Sequence, residues 1–139
     1  MKMYQEIVAI KTSGKCLHKI TPQVMTVVKN SGIQTGICSV FILHTSASLI
    51  IQENADPDVL ADLSNFFSKL VPENGVDYLH SAEGADDMPS HIRSILTSTS
   101  ENIIIRNGKL LLGTWQGLYL WEHRSRSNLR QVAIHIQGE

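Results

Sequence analysis

Apolar and polar positions alternate over several stretches of this chain and recur at helical spacing over others. Tyr4 to Lys11 alternates and reads as a strand; Gly14 breaks it, and Cys16 to Ile20 returns as a second strand. Thr21-Pro22 supplies a helix N-cap followed by proline at the first helical position. That helix carries Val24, Met25, Val27 and Val28 to about Asn30, where Ser31-Gly32 stops it. Ile37 to Leu43 is β-branched and apolar, the mark of a largely buried strand, and it delivers His44-Thr45-Ser46-Ala47-Ser48 at its end.

Asp56-Pro57 is the clearest helix start, followed by Leu60, Leu63, Phe67 and Leu70 in one apolar stripe that Val71-Pro72 ends. A short helix is predicted over Ser90 to Thr97, with Pro89 in its first turn and Asp86 or Asp87 as its cap. Strands then take over. Asn107-Gly108, between Ile103-Ile104-Ile105 and Leu110-Leu111-Leu112, is a hairpin turn, because both residues tolerate positive φ. Gln116 to Glu122 is a further strand, Arg124 to Asn128 a polar turn, and Arg130 to Ile136 a final strand. The predicted order is ββαβαα followed by a strand meander. Hairpins dominate it, so the fold class is α+β, antiparallel sheet with packed helices, in a single domain over 1–139. So many strands in so short a chain leave edges to cover, and self-association is one way to cover them.

Composition narrows the function classes. The formal net charge is −1, which gives no electrostatic argument for a nucleic acid or membrane partner. No apolar run approaches the length of a spanning helix, and Met1 to Glu6 lacks the apolar block of a signal peptide, so a cytoplasmic location is expected. Cys16 and Cys38 lie in apolar runs with no CxxC and read as buried thiols.

Chemistry-bearing residues concentrate in four places. The densest is His80-Ser81-Ala82-Glu83-Gly84-Ala85-Asp86-Asp87-Met88-Pro89-Ser90-His91. Loops of this kind aim side chains at ligands while rigid elements hold their ends. Asp86 and Asp87 suit Mg²⁺ bridging to phosphate oxygens. His80 and His91, joined in space by His44, suit an open three-histidine site for a transition metal such as Zn²⁺. Glu83 is a candidate general acid or base. The second place is His44-Thr45-Ser46-Ala47-Ser48 with Glu53-Asn54. Its hydroxyls and backbone N–H groups either bind an anion or form local Ser/Thr turns. Ser46 or Ser48 as a nucleophile needs a positioned base that spacing does not supply. The third is Gly113-Thr114-Trp115-Gln116-Gly117, a bulge or a close backbone approach to a ligand, with Trp115 either stacking on a ring or packing in a core or interface. The fourth is Glu122-His123-Arg124 with Arg126 and Arg130. Glu122 falls at the rim of the core, Arg124 can hold phosphate, and Arg126 and Arg130 read as a solvated turn. His18 and His135 lie on apolar strands and read as structural.

Together these motifs, with Leu49, Ile92 and the terminal Gln137-Gly138-Glu139, resemble the YjbQ-like family, the secondary thiamine-phosphate synthase family, over essentially the whole chain. One departure is Gln52, where the family pattern has asparagine before Glu53-Asn54. The resemblance implies a small α+β YjbQ-like fold assembled as a homotrimer, with a pocket near the subunit boundary lined by the four groups above. It also implies a thiamine phosphate synthase activity, possessed as a side activity, that joins a hydroxymethylpyrimidine diphosphate to a thiazole phosphate and releases pyrophosphate. Fitted to that chemistry, Mg²⁺ on Asp86 or Asp87 and the Arg124 cation neutralise the leaving diphosphate. His44, His80 and His91 bind phosphate or move a proton. Glu83 or Glu122 orients the pyrimidine amino group. Trp115 stacks on the ring, among substrate contacts that extend over Thr45, Ser46, Ser48, Glu53, Asn54, Gly113, Thr114 and Gln116. Two other readings compete: a metal-dependent hydrolase of a small phosphorylated metabolite, and a non-catalytic trimeric metabolite-binding protein.

Overall fold

The computed structural model describes residues 1–139. In chain order the elements are β1 (Lys2–Lys11), β2 (Cys16–Lys19), α1 (Thr21–Ser31), β3 (Thr35–Ile42), β4 (Ala47–Glu53), α2 (Pro57–Leu70), α3 (Asp87–Leu96), β5 (Ser100–Arg106), β6 (Lys109–Leu110), β7 (Gln116–Glu122) and β8 (Leu129–Gly138). Five strands form one sheet in the order β1-β8-β3-β5-β6, and three form another in the order β2-β7-β4. Every pairing is antiparallel, which makes the fold α+β as expected. Between the sheets and α1 lies a core of 18 buried residues, including Val24 and Val28 of α1, Val40 and Ile42 of β3, Leu118 and Leu120 of β7, and Val132, Ile134 and Ile136 of β8.

The outer face of the larger sheet is banded. Register places Gln5, His135, Ser39 and Asn102 side by side across β1, β8, β3 and β5. Gln5 Nε2 meets His135 Nδ1 at 2.9 Å, and Ser39 Oγ donates to Asn102 Oδ1 at 2.7 Å. One row away on either side stand Ile7 and Phe41, and Met3, Ile37 and Ile104, all exposed. No charged side chain belongs to these three rows.

Several expectations need correction. Ala47–Glu53 is strand β4, paired with β7 along its whole length, and the predicted order lacked it. Thr21 is the first helical residue of α1 rather than its cap; Ile20 is the N-cap, and the Thr21 hydroxyl accepts from Leu118 N–H at 2.9 Å, tying the helix to β7. α3 begins at Asp87, three residues earlier than predicted, and neither aspartate caps it: Asp86 holds the N-cap position, but its carboxylate is engaged elsewhere. Cys16 is exposed at the edge of the smaller sheet, whereas Cys38 is buried. The Asn107-Gly108 turn is as expected, with φ of 53° and 72°. Asp56 caps α2 by accepting from Asp58 N–H at 2.9 Å.

Candidate functional site

The acidic loop and the first turns of α3 converge on one point. Asp87 and His91 are one helical turn apart and so share a face. His80 reaches the same point from the loop. The nearest ligand atoms of His80, Asp87 and His91 lie within 4.8 Å of one another. Asp87 is buried, with 2% exposure, and its Oδ2 bonds His80 Nε2 and stands 3.4 Å from His91 Nε2. Glu83 Oε2 lies 3.3 Å from His80 Nε2. His80 and Glu83 face solvent, so the group is open to a ligand.

Arg124 organises the base of this group. It donates from Nε to Asp86 Oδ2 at 2.9 Å, from Nη1 to Asp87 Oδ1, and from Nη2 to the Glu83 carbonyl at 2.9 Å. Ser125 N–H also donates to Asp86 Oδ2 at 2.9 Å. Burial raises the Asp86 carboxyl, but Ser125 N–H and Arg124 outweigh it and push it down to about 2. Burial raises Asp87 as well, and the hydrogen bond from His80 with the charges of Arg124 and His91 holds it below the usual carboxylate range. The Arg124 donors expected to hold phosphate are therefore directed inward, where they fix the two aspartates.

His91 donates from Nδ1 to the Thr45 carbonyl at 2.8 Å, since a carbonyl can only accept. In the neutral ring Nε2 is then a lone pair facing the Asp87 carboxylate, acceptor against acceptor. Either an imidazolium proton or a metal ion reconciles them. A ring N–H tied to a backbone carbonyl is also the outer-shell arrangement that orients metal-ligating histidines. Two imidazoles and one carboxylate suit an ion such as Zn²⁺ better than Mg²⁺, which prefers oxygen ligands.

His44 is not in this group. Its Nε2 accepts from Gln131 N–H at 2.8 Å and its Nδ1 lies 3.3 Å from Arg130 Nη1; burial, then the Arg130 charge, lowers its pKa. Glu122, expected at the rim, is fully buried, and Arg130, read as part of a solvated turn, is buried against it. Arg130 donates Nε to Glu122 Oε1 at 2.7 Å and Nη2 to Oε2, a bidentate pair that Thr12 Oγ1 completes at 2.6 Å. Arg124 N–H donates to Glu122 Oε2 at 3.1 Å, so this buried pair braces the strand end that carries Arg124. Arg130 also donates to Ser46 Oγ at 3.0 Å. Ser48 Oγ meets His123 Nε2 at 2.8 Å, but both residues are buried, which closes this serine to any acyl substrate. Burial pushes His123 down to about 3, with Arg93 adding to the effect.

The remaining candidates lie elsewhere. β4 and β7 pair from Ala47 with Glu122 to Glu53 with Gln116, so the two ends of this ladder stand about 20 Å apart at strand rise. At the far end, Asn54 N–H donates to the Trp115 carbonyl at 3.0 Å, its side chain reaches the Thr114 and Gln116 carbonyls, and Gln116 Oε1 accepts from Gly113 N–H at 2.7 Å. Trp115 is exposed, so it is no core residue of this chain. A Cβ on Gly117 would meet the Asn54 and Tyr119 side chains at 3.1 Å, so this glycine makes room for the chain's own side chains. Thr12 and Arg93 were not singled out in advance, and His123 was named in the fourth group without a role. The 3–4 spacing of Asp87, Ser90, Arg93 and Ser94 was the sequence signal for Arg93, a polar helix face that the structure buries.

The profile of the family described as UPF0047 protein YjbQ-like matches residues 5–139. The chain belongs to the YjbQ-like UPF0047 family. It is 61% identical to the UPF0047 protein sll1880 of Synechocystis over 99% of this chain and 94% of that one. It is 43% identical to the UPF0047 protein YjbQ of Salmonella typhimurium over 98% and 99%. Among solved structures of the YjbQ-like UPF0047 family, an uncharacterized protein of Clostridium acetobutylicum superposes with a TM-score of 0.87 at 41% identity, covering 95% of this chain and 99% of that one. A protein of Sulfolobus solfataricus superposes with a TM-score of 0.86 at 26% identity, over 99% and 100%.

Proposed function

We propose that the His80–Asp87–His91 group is the active site of an enzyme acting on a small phosphorylated metabolite, and that its reaction is thiamine phosphate synthase-like. In that reaction the thiazole nitrogen forms a bond to the pyrimidine methylene carbon while the bond from that carbon to the diphosphate oxygen breaks, releasing pyrophosphate. The observation that carries the reading is the solvent-open set of two imidazoles and a buried carboxylate, fixed from below by Arg124. His80 and His91 hydrogen-bond the leaving diphosphate oxygens, and Glu83, near His80 Nε2, accepts or returns a proton at the pyrimidine amino group. A divalent ion held by His80, Asp87 and His91 would supply electrostatic stabilisation of the leaving group. The reading includes a homotrimer, for which the three outer sheet rows without charged side chains, with exposed Ile7, Ile37, Phe41 and Ile104, are support. A trimer would also give the Trp115 loop, remote from this group within one chain, a route to a neighbouring site.

The test is turnover by purified protein given both substrates with Mg²⁺ or Zn²⁺, with thiamine phosphate detected after oxidation to its fluorescent form. Product from wild type and none from Glu83→Ala or His91→Ala supports the reading. Equal product from all three removes it. A second reading, a metal-dependent hydrolase, is favoured by the His91–Asp87 contact; release of inorganic phosphate from phosphorylated metabolites by the zinc-loaded protein, without synthase product, would select it.

A further inference from the structure

A second hollow, of about 90 Å³, lies among the β1–β2 turn, α2, α3 and β7, lined by Lys15, Ser64, Ser68, Arg93, Trp121 and His123. It uses none of the three residues of the histidine–carboxylate group. Arg93 is 5% exposed, and its charge is incompletely met: Nη2 donates to the Val71 carbonyl at 2.9 Å, Nη1 lies 3.7 Å from Glu73 Oε1, and Nε has no partner. That buried cation therefore has its nearest carboxylate only at 3.7 Å, a weak counter-charge for a guanidinium held out of water. Lys15, from the β1–β2 turn, pairs with the same Glu73 oxygen. One carboxylate thus faces two cations. Glu122, the carboxylate that lines the hollow, belongs to Arg130 and Thr12, and His123 is held neutral by burial. The hollow keeps an excess of positive charge and two serine hydroxyls.

We propose that this hollow binds a tetrahedral oxyanion, inorganic phosphate or the terminal phosphoryl group of a metabolite, and that Glu73 is the tethered anion which the ligand displaces. At about 90 Å³ the hollow has room for one phosphoryl group, with the rest of a larger ligand left to extend into solvent. Glu73 stands in the stretch after α2, outside regular structure, so it can withdraw without unfolding an element. Asp86 acts electrostatically on both Lys15 and Arg93, which sets the hollow beside the Asp86–Arg124 pair. The inference does not depend on the reaction proposed above.

Calorimetric titration with inorganic phosphate, at ionic strength fixed with sodium chloride, tests it. Lys15→Met and Glu73→Gln alter side chains that reach solvent, so both variants should fold. The expected pattern is binding to wild type, at least threefold tighter binding to Glu73→Gln, at least tenfold weaker binding to Lys15→Met, and binding within twofold of wild type for Lys109→Met, an exposed lysine outside the hollow. No binding to wild type or Glu73→Gln, unchanged binding to Lys15→Met, no gain in Glu73→Gln, or an equal loss in Lys109→Met each overturns the assignment. Because no turnover is read, failure here is distinct from failure of the synthase reading.

Discussion

His123 has 1% exposure and keeps a neutral ring against Ser48, and that sets a pH dependence. Its pKa is lowered from 6.5 to about 3 in the folded chain, so between those values the unfolded chain binds a proton that the folded chain does not. The stabilisation is complete above the unfolded value and is lost as pH falls towards the folded one, at up to about 1.4 kcal/mol per pH unit. In NMR titration the His123 ring should keep its neutral shifts down to pH 4, and chemical denaturation should show stability falling from pH 6.5. A His123 resonance titrating near 6.5 would refute this. The two thiols make a second prediction. Burial pushes Cys38 up to about 12 while Cys16 is exposed, so a thiol reagent should modify one cysteine in the native state and two after denaturation, with Cys16→Ser abolishing the native reaction. Single residues were legible where their chemistry is local. The acidic loop was found because His80, Glu83, Asp87 and His91 are near in sequence. Arg130 was misread because its partners, Glu122 of β7 and Ser46 before β4, come from separate segments of the chain, and nothing in a run of arginines and serines distinguishes the buried one.

Among the elements, β3 and β8 leave no room for a side chain at Gly36, where an added Cβ would meet the Gln137 carbonyl oxygen at 2.1 Å. Backbone cannot swing aside as a side chain tip can. Gly36→Ala should therefore part the two strands at their shared end and cost about 3 kcal/mol, the upper part of the range for overpacking. Urea unfolding measures it, and a loss under about 1 kcal/mol would show that the strands part easily there. Most elements were readable from period and punctuation: proline at the start of α1 and α2, Asn-Gly between β5 and β6. β4 was not, because its apolar residues follow directly on His44-Thr45-Ser46, and the polar burst suggested a loop continuing. Hydrogen bonds to β7 decide that stretch, and a partner some seventy residues away leaves no local mark. The caps failed for a related reason. Thr21 and Asp86 have the right side chains for capping, but stronger tertiary partners, Leu118 N–H and Arg124, engage them.

At the scale of the molecule, the banded outer face is where association is expected. Its apolar rows flank a polar row whose Gln, His, Ser and Asn side chains are collectively donors and acceptors, which suits contact with a copy of itself. If the proposed homotrimer forms through this face, Phe41→Glu should lower the mass seen by light scattering to that of a monomer while leaving the far-ultraviolet circular dichroism intact; an unchanged mass would place the interface elsewhere. The strand order carries a separate consequence for how the chain comes off the ribosome. β8 is the latest strand to be synthesised, yet it lies between β1 and β3, paired with β1 over ten residues and with β3 on its other side. Until it arrives, the earliest strand has no neighbour in its sheet, and the edge of β3 that receives β8 stays unpaired. Pairing partners so remote along the chain close slowly. A nascent chain halted before β8 would expose two unpaired edges flanking an empty slot, the form most prone to capture a strand from another molecule.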